Sequence, residues 1–426
     1  MFNFINLYIK TLGCNINTYI SSKIIYNIKY FKIKILKNFL KSNLLILNSC
    51  VVRKNPQIKI LKELKKWFFI KKYKKIIIIL TGCLTEFEKI NSLISLKIDI
   101  VINSLSYIFI KKILNLYLKT KKKILLIKKK NNFNIKKNIL NYISIMKGCN
   151  HSCTYCIIPQ TKGKEFYYSF SYIFNYIINN IKKKTTEITL LGQNVNSYYN
   201  KNVNFNSLIF NISKIKNIKR INFLSSNIID FNKNFYNLYK NVKKISNHIH
   251  LPIQSGSNLI LKKMNRKYNL NHYICFIKKI QKIKFTTFST DIIVSFPNEN
   301  FFDFDQTLKV LKKIKFLDIY YFLYSKLRNT ISFNFKENSF FVKKFKLFIF
   351  QKSIIKNYYL LNNRVVRILV IGYISKNIFI GKMDNLKLVF FEYYKYNIIG
   401  KFINVKIIKI KKNIFLGLYE NIYPCI

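Results

Sequence analysis

Apolar runs of strand length alternate with lysine-faced stretches of helical length in the first 120 residues. The apolar runs are FNFINLYIKTLGC, LLILNSCVV, KIIIILTGC and IDIVINS. The stretches between them are NTYISSKIIYNIKYFKIKILK, NPQIKILKELKKWFFIK and FEKINSLISLK. Buried strands that alternate with helices indicate an α/β fold, with a parallel sheet covered by helices on both faces.

Three of these predicted strands finish in a cysteine, at Cys14, Cys50 and Cys83. The ends of parallel strands lie along one edge of the sheet, which is where open α/β sheets bind their ligands. Cysteine is also a common core residue, so each one alone has an ordinary interpretation. Because all three occupy the same structural position, we expect a metal site at this edge.

The middle of the chain repeats the alternation. Six apolar runs, each followed by an amphipathic stretch, read NYISIMKG, EITLLG, RINFLSS, HIHLPI, FSTDIIVSFP and IYYFLYS. Six βα units in series predict a partial (βα)6 barrel, whose active site lies at the carboxyl ends of the strands. A lysine- and asparagine-rich stretch over 118–138 separates this part from the first and is predicted to be a linker or an exposed hairpin.

After about residue 355 the pattern changes to short apolar runs without helices between them, RVVRILVIGY, NIFIGKM, LKLVFFEYY and FINVKIIKI. This predicts a small all-β barrel, a shape often used to hold looped RNA. We therefore predict three domains, at 1–120, 135–357 and 358–426.

The segment MKGCNHSCTYCIIP brings Cys149, Cys153 and Cys156 within eight positions, although the chain has only 8 cysteines. A disulfide would leave one thiol unpaired. Zinc usually takes a second cysteine pair or distant histidines at suitable spacing, and neither follows. Closely spaced thiolates on one loop are typical of iron–sulfur clusters. With three cysteines, a four-iron cluster would keep one iron free for a small molecule.

Composition adds a large positive charge, since 76 Lys and Arg against 16 Asp and Glu give +60. Such a charge promotes RNA association through counterion release. The abundance of Lys, Ile, Asn, Phe and Tyr also fits drift toward A+T-rich codons, so the charge permits an RNA partner without demonstrating one. Neither a membrane-spanning run nor a signal peptide is evident, and sparse cysteines fit a cytoplasmic location.

These motifs together resemble the radical S-adenosylmethionine (SAM) methylthiotransferases along nearly the whole chain. The resemblance rests on the following segments: TLGCNIN (11–17), LILNSCVVR (45–53), TGC (81–83), IMKGCNHSCTYCIIPQTKGKE (145–165), TLLGQNVNSY (189–198), HLPIQSGS (250–257), KKMNRKY (262–268) and STDIIVSFP (289–297). The cysteine loop alone identifies only the radical SAM superfamily. TLLGQNVNSY and CVVR favour the branch that acts on tRNA.

The resemblance implies two [4Fe–4S] clusters. Cys149, Cys153 and Cys156 would hold the one that binds SAM and cleaves it to a radical, and Cys14, Cys50 and Cys83 would hold the one that carries the inserted sulfur. The radical would take hydrogen from C2 of an adenine base beside the anticodon, and a second SAM would supply the methyl group. The terminal barrel would be a TRAM-like RNA-binding domain. An electron donor such as flavodoxin or ferredoxin, a monomeric state and no membrane are also expected.

The resemblance further implies contacts to SAM from five residues: Tyr155, Gly192, Gln193, Gln254 and Ser255. For Tyr155 simple packing is an equal alternative, and local turn bonding is one for Gln254 and Ser255. Two other functions stay open. One is methylthiolation of another target, a threonylcarbamoyl adenosine in tRNA or a ribosomal-protein aspartate. The other is a non-catalytic RNA-binding iron–sulfur protein.

Some residues are expected to have ordinary roles or depart from the family pattern. His151 is predicted to lie on a surface loop, and Cys275 on the apolar face of a helix. Ser295 and Asn298 stand where the family has glycines, which replaces flexible backbone positions with side chains. We expect these replacements to affect stability more than chemistry, because all six cluster cysteines remain.

Overall fold

The chain forms two compact units, Met1–Lys136 and Lys137–Ile426. A computed structural model describes residues 5–12, 15–28, 31–49, 54–82, 97–102, 110–120, 122–126, 140–180, 186–336, 361–374, 377–394, 398–411 and 414–419. Among these residues, no helix combines the length and apolarity needed to cross a membrane.

The first unit contains a six-stranded parallel sheet, as the alternating pattern predicted. Its strands are β1 (Ile5–Thr11), β2 (Ile33–Ile35), β3 (Leu44–Ser49), β4 (Ile77–Gly82), β5 (Ile100–Ile102) and β6 (Ile124–Leu126), in the order β2-β1-β3-β4-β5-β6. The described helices are α1 (Asn15–Ile28), α2 (Lys54–Tyr73) and α3 (Ile110–Thr120). Buried isoleucines and leucines pack on both faces of the sheet, and Trp67 of α2 is fully buried on one of them.

Two details of the first unit differ from the sequence prediction, and a third prediction falls on residues that the structure does not describe. The first predicted helix ends at Ile28, and FKIKILK contributes strand β2 because Ile33 and Ile35 alternate with lysine at the period of a strand. The predicted linker begins inside helix α3 and contains strand β6. The predicted helix FEKINSLISLK lies almost wholly outside the described residues.

The second unit begins with the six predicted strands of the central part. They are β7 (Leu140–Ser144), β10 (Glu187–Leu191), β13 (Arg220–Phe223), β14 (His248–His250), β15 (Thr287–Val294) and β16 (Asp318–Leu323). Two short hairpins add β8 (Met146–Lys147) with β9 (Phe166–Tyr167), and β11 (Tyr199–Asn200) with β12 (Val203–Asn204). The six main strands pair in parallel as β7-β10-β13 and β14-β15-β16, and an isolated parallel bridge joins Ile221 of β13 to Ile245, three residues before β14.

Helices follow these strands and cover the outer face. They are α4 (Ile158–Lys162), α5 (Phe170–Asn180), α6 (Phe205–Ser213), α7 (Asn234–Asn241), α8 (Asn258–Lys263), α9 (Leu270–Ile283) and α10 (Phe301–Ile314). The prediction that Cys275 belongs to the core is wrong, because its side chain is exposed. Helix α9 buries the stripe Tyr273, Phe276, Ile277 and Ile280, whose spacing defines one face that Cys275 does not share.

The chain closes with a five-stranded barrel of β17 (Val365–Tyr373), β18 (Ile378–Lys382), β19 (Leu388–Glu392), β20 (Phe402–Lys411) and β21 (Ile414–Tyr419). Four of these strands were predicted; β21 was not, and it closes the barrel by pairing with both β19 and β20. Tight packing explains two glycines inside it. A Cβ at Gly381 would lie 2.2 Å from Cδ1 of Ile368, and one at Gly417 would lie 2.2 Å from Cγ1 of Val405.

A buried group of charges fastens this barrel to the amino ends of the central strands. Glu187 begins β10 and accepts hydrogen bonds from Arg220 and from Lys382 Nζ, the latter at 2.7 Å. Asp384, just beyond β18, pairs with Arg220 and accepts from the backbone N–H of Asn247 at 3.1 Å. The barrel therefore contacts the end of the central sheet opposite to the strand ends that lead into the cysteine loop.

Candidate metal and ligand site at the cysteine loop

The three-cysteine loop is closed at its base by the hairpin β8–β9, in which Met146 pairs with Tyr167. Gly148 starts the loop with φ of +73°, and a Cβ there would lie 2.1 Å from the carbonyl oxygen of Lys164. Only glycine fits both requirements. The Cys149 N–H then donates to the Gly163 carbonyl at 3.2 Å, which ties the start of the loop to its end. The carboxyl end of β7 thus leads directly into Cys149, as the sequence predicted.

The middle of the loop is held by the turn that follows helix α8. Thr154 donates its N–H to Met264 O at 3.2 Å and its hydroxyl to Lys263 O at 2.9 Å. The Asn265 amide donates to the carbonyl of Ser152 at 2.9 Å. Both neighbours of Cys153 are therefore fixed by one turn. The sequence analysis recognised the motif KKMNRKY, which contains this turn, but did not predict that its residues hold the cysteine loop.

The three thiols of the loop are partly buried. In the described part of the chain, no three Cys, His, Asp or Glu side chains are close enough together to hold one metal ion. Burial raises the pKa of the Cys149 thiol to about 11 and that of Cys156 to about 12. A coordinating metal deprotonates its thiols outright, so these raised pKa values describe the thiols in the absence of a bound metal.

Buried acceptors without partners lie at the strand ends beside the loop. Among the described residues, the side-chain oxygens of Gln193, Asn194 and Asn227 accept no hydrogen bond. Buried polar atoms are almost always satisfied, so these oxygens are available to accept hydrogen bonds from a ligand or from ordered water. All three follow β10 or β13, at the rim where the sequence placed the active site.

His151 is anchored to this same rim. Its Nε2 lies 2.8 Å from Oδ2 of Asp230, and Asn194 donates to that same oxygen at 2.7 Å. His151 lies in a loop, as predicted, but its side chain is partly buried by these contacts. The loop folds back over the end of β13, a contact between residues 79 positions apart that the local sequence does not encode.

The five residues predicted to contact SAM have different surroundings. The Tyr155 ring packs edge-on against Phe296 with centroids 6.5 Å apart. A Cβ at Gly192 would lie 2.4 Å from Cγ of Met146, so packing alone requires this glycine. Gln254 has φ of +69° and is fixed by its N–H to the Asp291 carbonyl at 2.9 Å. The Ser255 hydroxyl is fully buried and accepts from the N–H of Ser257 at 3.2 Å, as the local-turn alternative expected.

Polar side chains of the neighbouring strands β14 and β15 contact one another within the central sheet. His248 bonds with Thr287 at 2.8 Å through Nδ1 and with Ser289 at 2.9 Å through Nε2. His250 bonds with Ser289 at 2.9 Å through Nδ1 and lies 3.6 Å from Asp291 through Nε2. The two histidines therefore take part in hydrogen bonds within the sheet.

In the first unit, Cys14, Cys50 and Cys83 lie outside the described residues. The strands that precede them, β1, β3 and β4, are adjacent in the sheet. Two hydrogen bonds tie the end of β3 to helix α1: Asn48 Nδ2 donates to Asn17 O at 2.7 Å, and Asn17 Nδ2 donates to Asn48 Oδ1 at 3.1 Å. Gly82 sits with φ of +104° where a Cβ would lie 2.1 Å from Ser49 O. The residues beside the three cysteines therefore share one edge.

Comparison with known proteins agrees with this architecture. Three family descriptions match: the Radical SAM superfamily over 143–311, Uncharacterized protein family UPF0004 over 6–103 and the TRAM domain over 360–417. A tRNA-2-methylthio-N(6)-dimethylallyladenosine synthase of Buchnera aphidicola (Cinara cedri) is 38% identical over 400 residues, covering 88% of this chain and 92% of the relative. The synthase of Clostridium tetani is 34% identical, covering 94% and 93%.

The chain belongs to the tRNA-2-methylthio-N(6)-dimethylallyladenosine synthase family. Among solved structures, the radical SAM methyltransferase TsrM of Kitasatospora setae is similar with a TM-score of 0.58, covering 78% of this chain and 77% of that one. At 9% identity this likeness concerns the fold alone. The family membership confirms the resemblance read from the motifs.

Proposed function

We propose that this chain adds a methylthio group to C2 of N6-(dimethylallyl)adenosine beside the anticodon of tRNA, using two [4Fe–4S] clusters and two molecules of SAM. The observation that carries the proposal is the match of nearly the whole chain to relatives of that name, at 34% to 38% identity. The site supports it, because three thiols and several unpartnered acceptors meet at the rim predicted to be active.

In this proposal Cys149, Cys153 and Cys156 ligate the cluster that binds SAM. When bound, this cluster and SAM supply the one-electron chemistry that activates an unreactive C–H bond. The chain contributes placement: the hairpin β8–β9 and the turn after α8 fix the loop. Among the residues predicted to contact SAM, Gln193 has a buried oxygen that accepts no bond within the described residues and so suits the amino group of the cofactor. Tyr155, Gly192, Gln254 and Ser255 complete the proposed contact set.

Cys14, Cys50 and Cys83 ligate the second cluster in this proposal. Support comes from the adjacency of β1, β3 and β4 and from the hydrogen bonds that join Asn48 of β3 to Asn17 of helix α1. Three thiolates again leave one iron free, which is what sulfur transfer requires. The predicted domain boundaries also remain part of the proposal.

The proposed substrate is the anticodon loop of tRNA, and the charge of +60 supports association with it. The terminal barrel would hold the RNA. A flavodoxin or ferredoxin as electron donor, a monomeric chain and a cytoplasmic location complete the proposal.

Mass spectrometry of nucleosides tests the function. The reconstituted chain is incubated anaerobically with SAM, a reductant and tRNA that carries N6-(dimethylallyl)adenosine, and the expected product is its 2-methylthio derivative. Cys149→Ala is the matched control and should give none. An unchanged tRNA, or a methylthio group on a different nucleoside or on a protein, would contradict the proposal.

A further inference from the structure

The guanidinium of Arg266 touches a cysteine that is proposed to ligate the cluster. Its Nη1 donates to Cys153 Sγ at 3.5 Å. Its Nη2 donates to Pro252 O at 3.1 Å, and its Nε donates to the Tyr268 hydroxyl at 3.2 Å. Each of the three nitrogens thus has a protein acceptor. The contacts with Pro252 and Tyr268 therefore hold the charged guanidinium beside the Cys153 sulfur.

The local fold holds Arg266 in this position. Helix α8 is capped by Ser257, whose side chain accepts from Ile260 N, and the chain then turns at Asn265, which has φ of +55°. The N–H of Arg266 returns to Leu261 O at 2.9 Å and closes the turn. Tyr268 is buried and donates to Ile253 O at 3.0 Å, so the acceptor of Nε is itself fixed.

A fixed cation beside a cluster ligand affects one property more than any other. Reduction adds an electron, and therefore negative charge, to an iron–sulfur cluster. Hydrogen bonds to the sulfurs and nearby charge set the potential at which this happens. Arginine keeps its charge at any working pH. An N–H donated to Cys153 Sγ stabilises the reduced cluster more than the oxidised one, because the sulfur carries more negative charge after reduction.

We propose that Arg266 is a positioning residue that holds Cys153 and raises the reduction potential of the cluster on the Cys149 loop. The inference rests on the proposed function, because it requires that cluster. It adds a specific role for the arginine of KKMNRKY: its N–H and its charge would make the cluster reducible by a milder electron donor.

The test is a redox titration followed by electron paramagnetic resonance. Cys14, Cys50 and Cys83 are replaced by Ala in every variant, so that only the loop cluster contributes a signal. We expect Arg266→Gln to lower the ratio of reduced to oxidised cluster about tenfold at a fixed potential, which is a midpoint lower by about 59 mV for one electron. Lys267→Gln removes the same charge from an exposed neighbour and should leave the midpoint unchanged.

Arg266→Lys separates charge from geometry. Lysine keeps the charge but lacks the fork that reaches Cys153 and Pro252 together, so we expect a smaller drop in the same direction. If Arg266→Gln fails to load iron, the midpoint potential of the Arg266→Lys variant tests the inference instead. An unchanged midpoint in the loaded variants would overturn the inference, and so would an effect confined to the KM for SAM, which would make Arg266 a SAM ligand.

The two levels of the proposal fail differently. If the wild-type chain modifies tRNA and the Arg266 variants show the same cluster reduction potential as their parent, this inference is contradicted and the proposed function stays intact. A wild-type chain that holds no cluster at the Cys149 loop would contradict both.

Discussion

Ser295 occupies a position that its side chain disfavours, so Ser295→Gly should stabilise the protein. The residue directly follows strand β15 and has φ of +58°. It is buried, and its hydroxyl has no hydrogen-bond partner among the described residues. Its N–H donates to Glu299 Oε2 at 2.7 Å, a bond that glycine would keep.

The expected gain follows from three terms. The left-handed backbone costs a side-chain-bearing residue about 1–2 kcal/mol. A buried hydroxyl without a partner costs about 1 kcal/mol or more. Against these gains, glycine has greater conformational freedom in the unfolded chain, which destabilises the folded variant by about 0.5–1 kcal/mol. The net change is a stabilisation of about 1–2 kcal/mol.

Thermal unfolding followed by circular dichroism measures this change. For a large domain each kcal/mol raises Tm by roughly 2–4 °C. Asn298→Gly is the matched control: Asn298 has φ of +62°, but it is exposed and asparagine tolerates this conformation, so its gain should be much smaller. A Tm for Ser295→Gly equal to or below that of the parent would refute the reasoning.

Three further predictions follow from other contacts. Gly82→Ala should disturb the edge beside Cys83, because the new Cβ would meet Ser49 O at 2.1 Å, and we expect the iron content to fall by about half while the Cys149 loop stays loaded. Glu187→Gln should cost about 3–5 kcal/mol in urea unfolding, because it leaves Arg220 and Lys382 with an uncompensated buried charge. The control Glu63→Gln removes a surface pair with Lys66 and should cost less than about 1 kcal/mol. Burial lowers the pKa of His248 to about 4, so the unfolded chain binds a proton that the folded chain refuses, and stability should fall as pH drops from about 6.5 to about 4. His248→Gln should flatten that part of the pH profile, whereas the exposed control His272→Gln should not; an equal slope in His248→Gln would contradict the assignment.

The sequence predicted the architecture where two signals agree: the periodic pattern of apolar residues and the chemically distinctive residues that follow each strand. The runs before Cys14, Cys50 and Cys83 form adjacent parallel strands, in agreement with the alternation of apolar runs and helical stretches along the chain. The cysteine loop follows β7 at the predicted rim. Both results depend on local patterns, which can be recognised in a single sequence.

Contacts between distant segments were beyond the sequence. Arg266 and Cys153 are 113 positions apart, and their meeting depends on how the turn after α8 packs on the loop. The fastening of the barrel through Glu187 and Lys382 spans 195 positions. Strand β21 was missed because NIFLGLY is a short run near the chain end, and its place becomes evident only when the barrel closes.

The central claim is that two separate trios of cysteines each hold a four-iron cluster. Iron and sulfide analysis after anaerobic reconstitution tests it most directly, with the wild type compared against the Ala variants of Cys14, Cys50 and Cys83 and of Cys149, Cys153 and Cys156. We predict about eight irons in the wild type and about four in each triple variant. About four irons in the wild type, all lost with one trio and none with the other, would contradict the account.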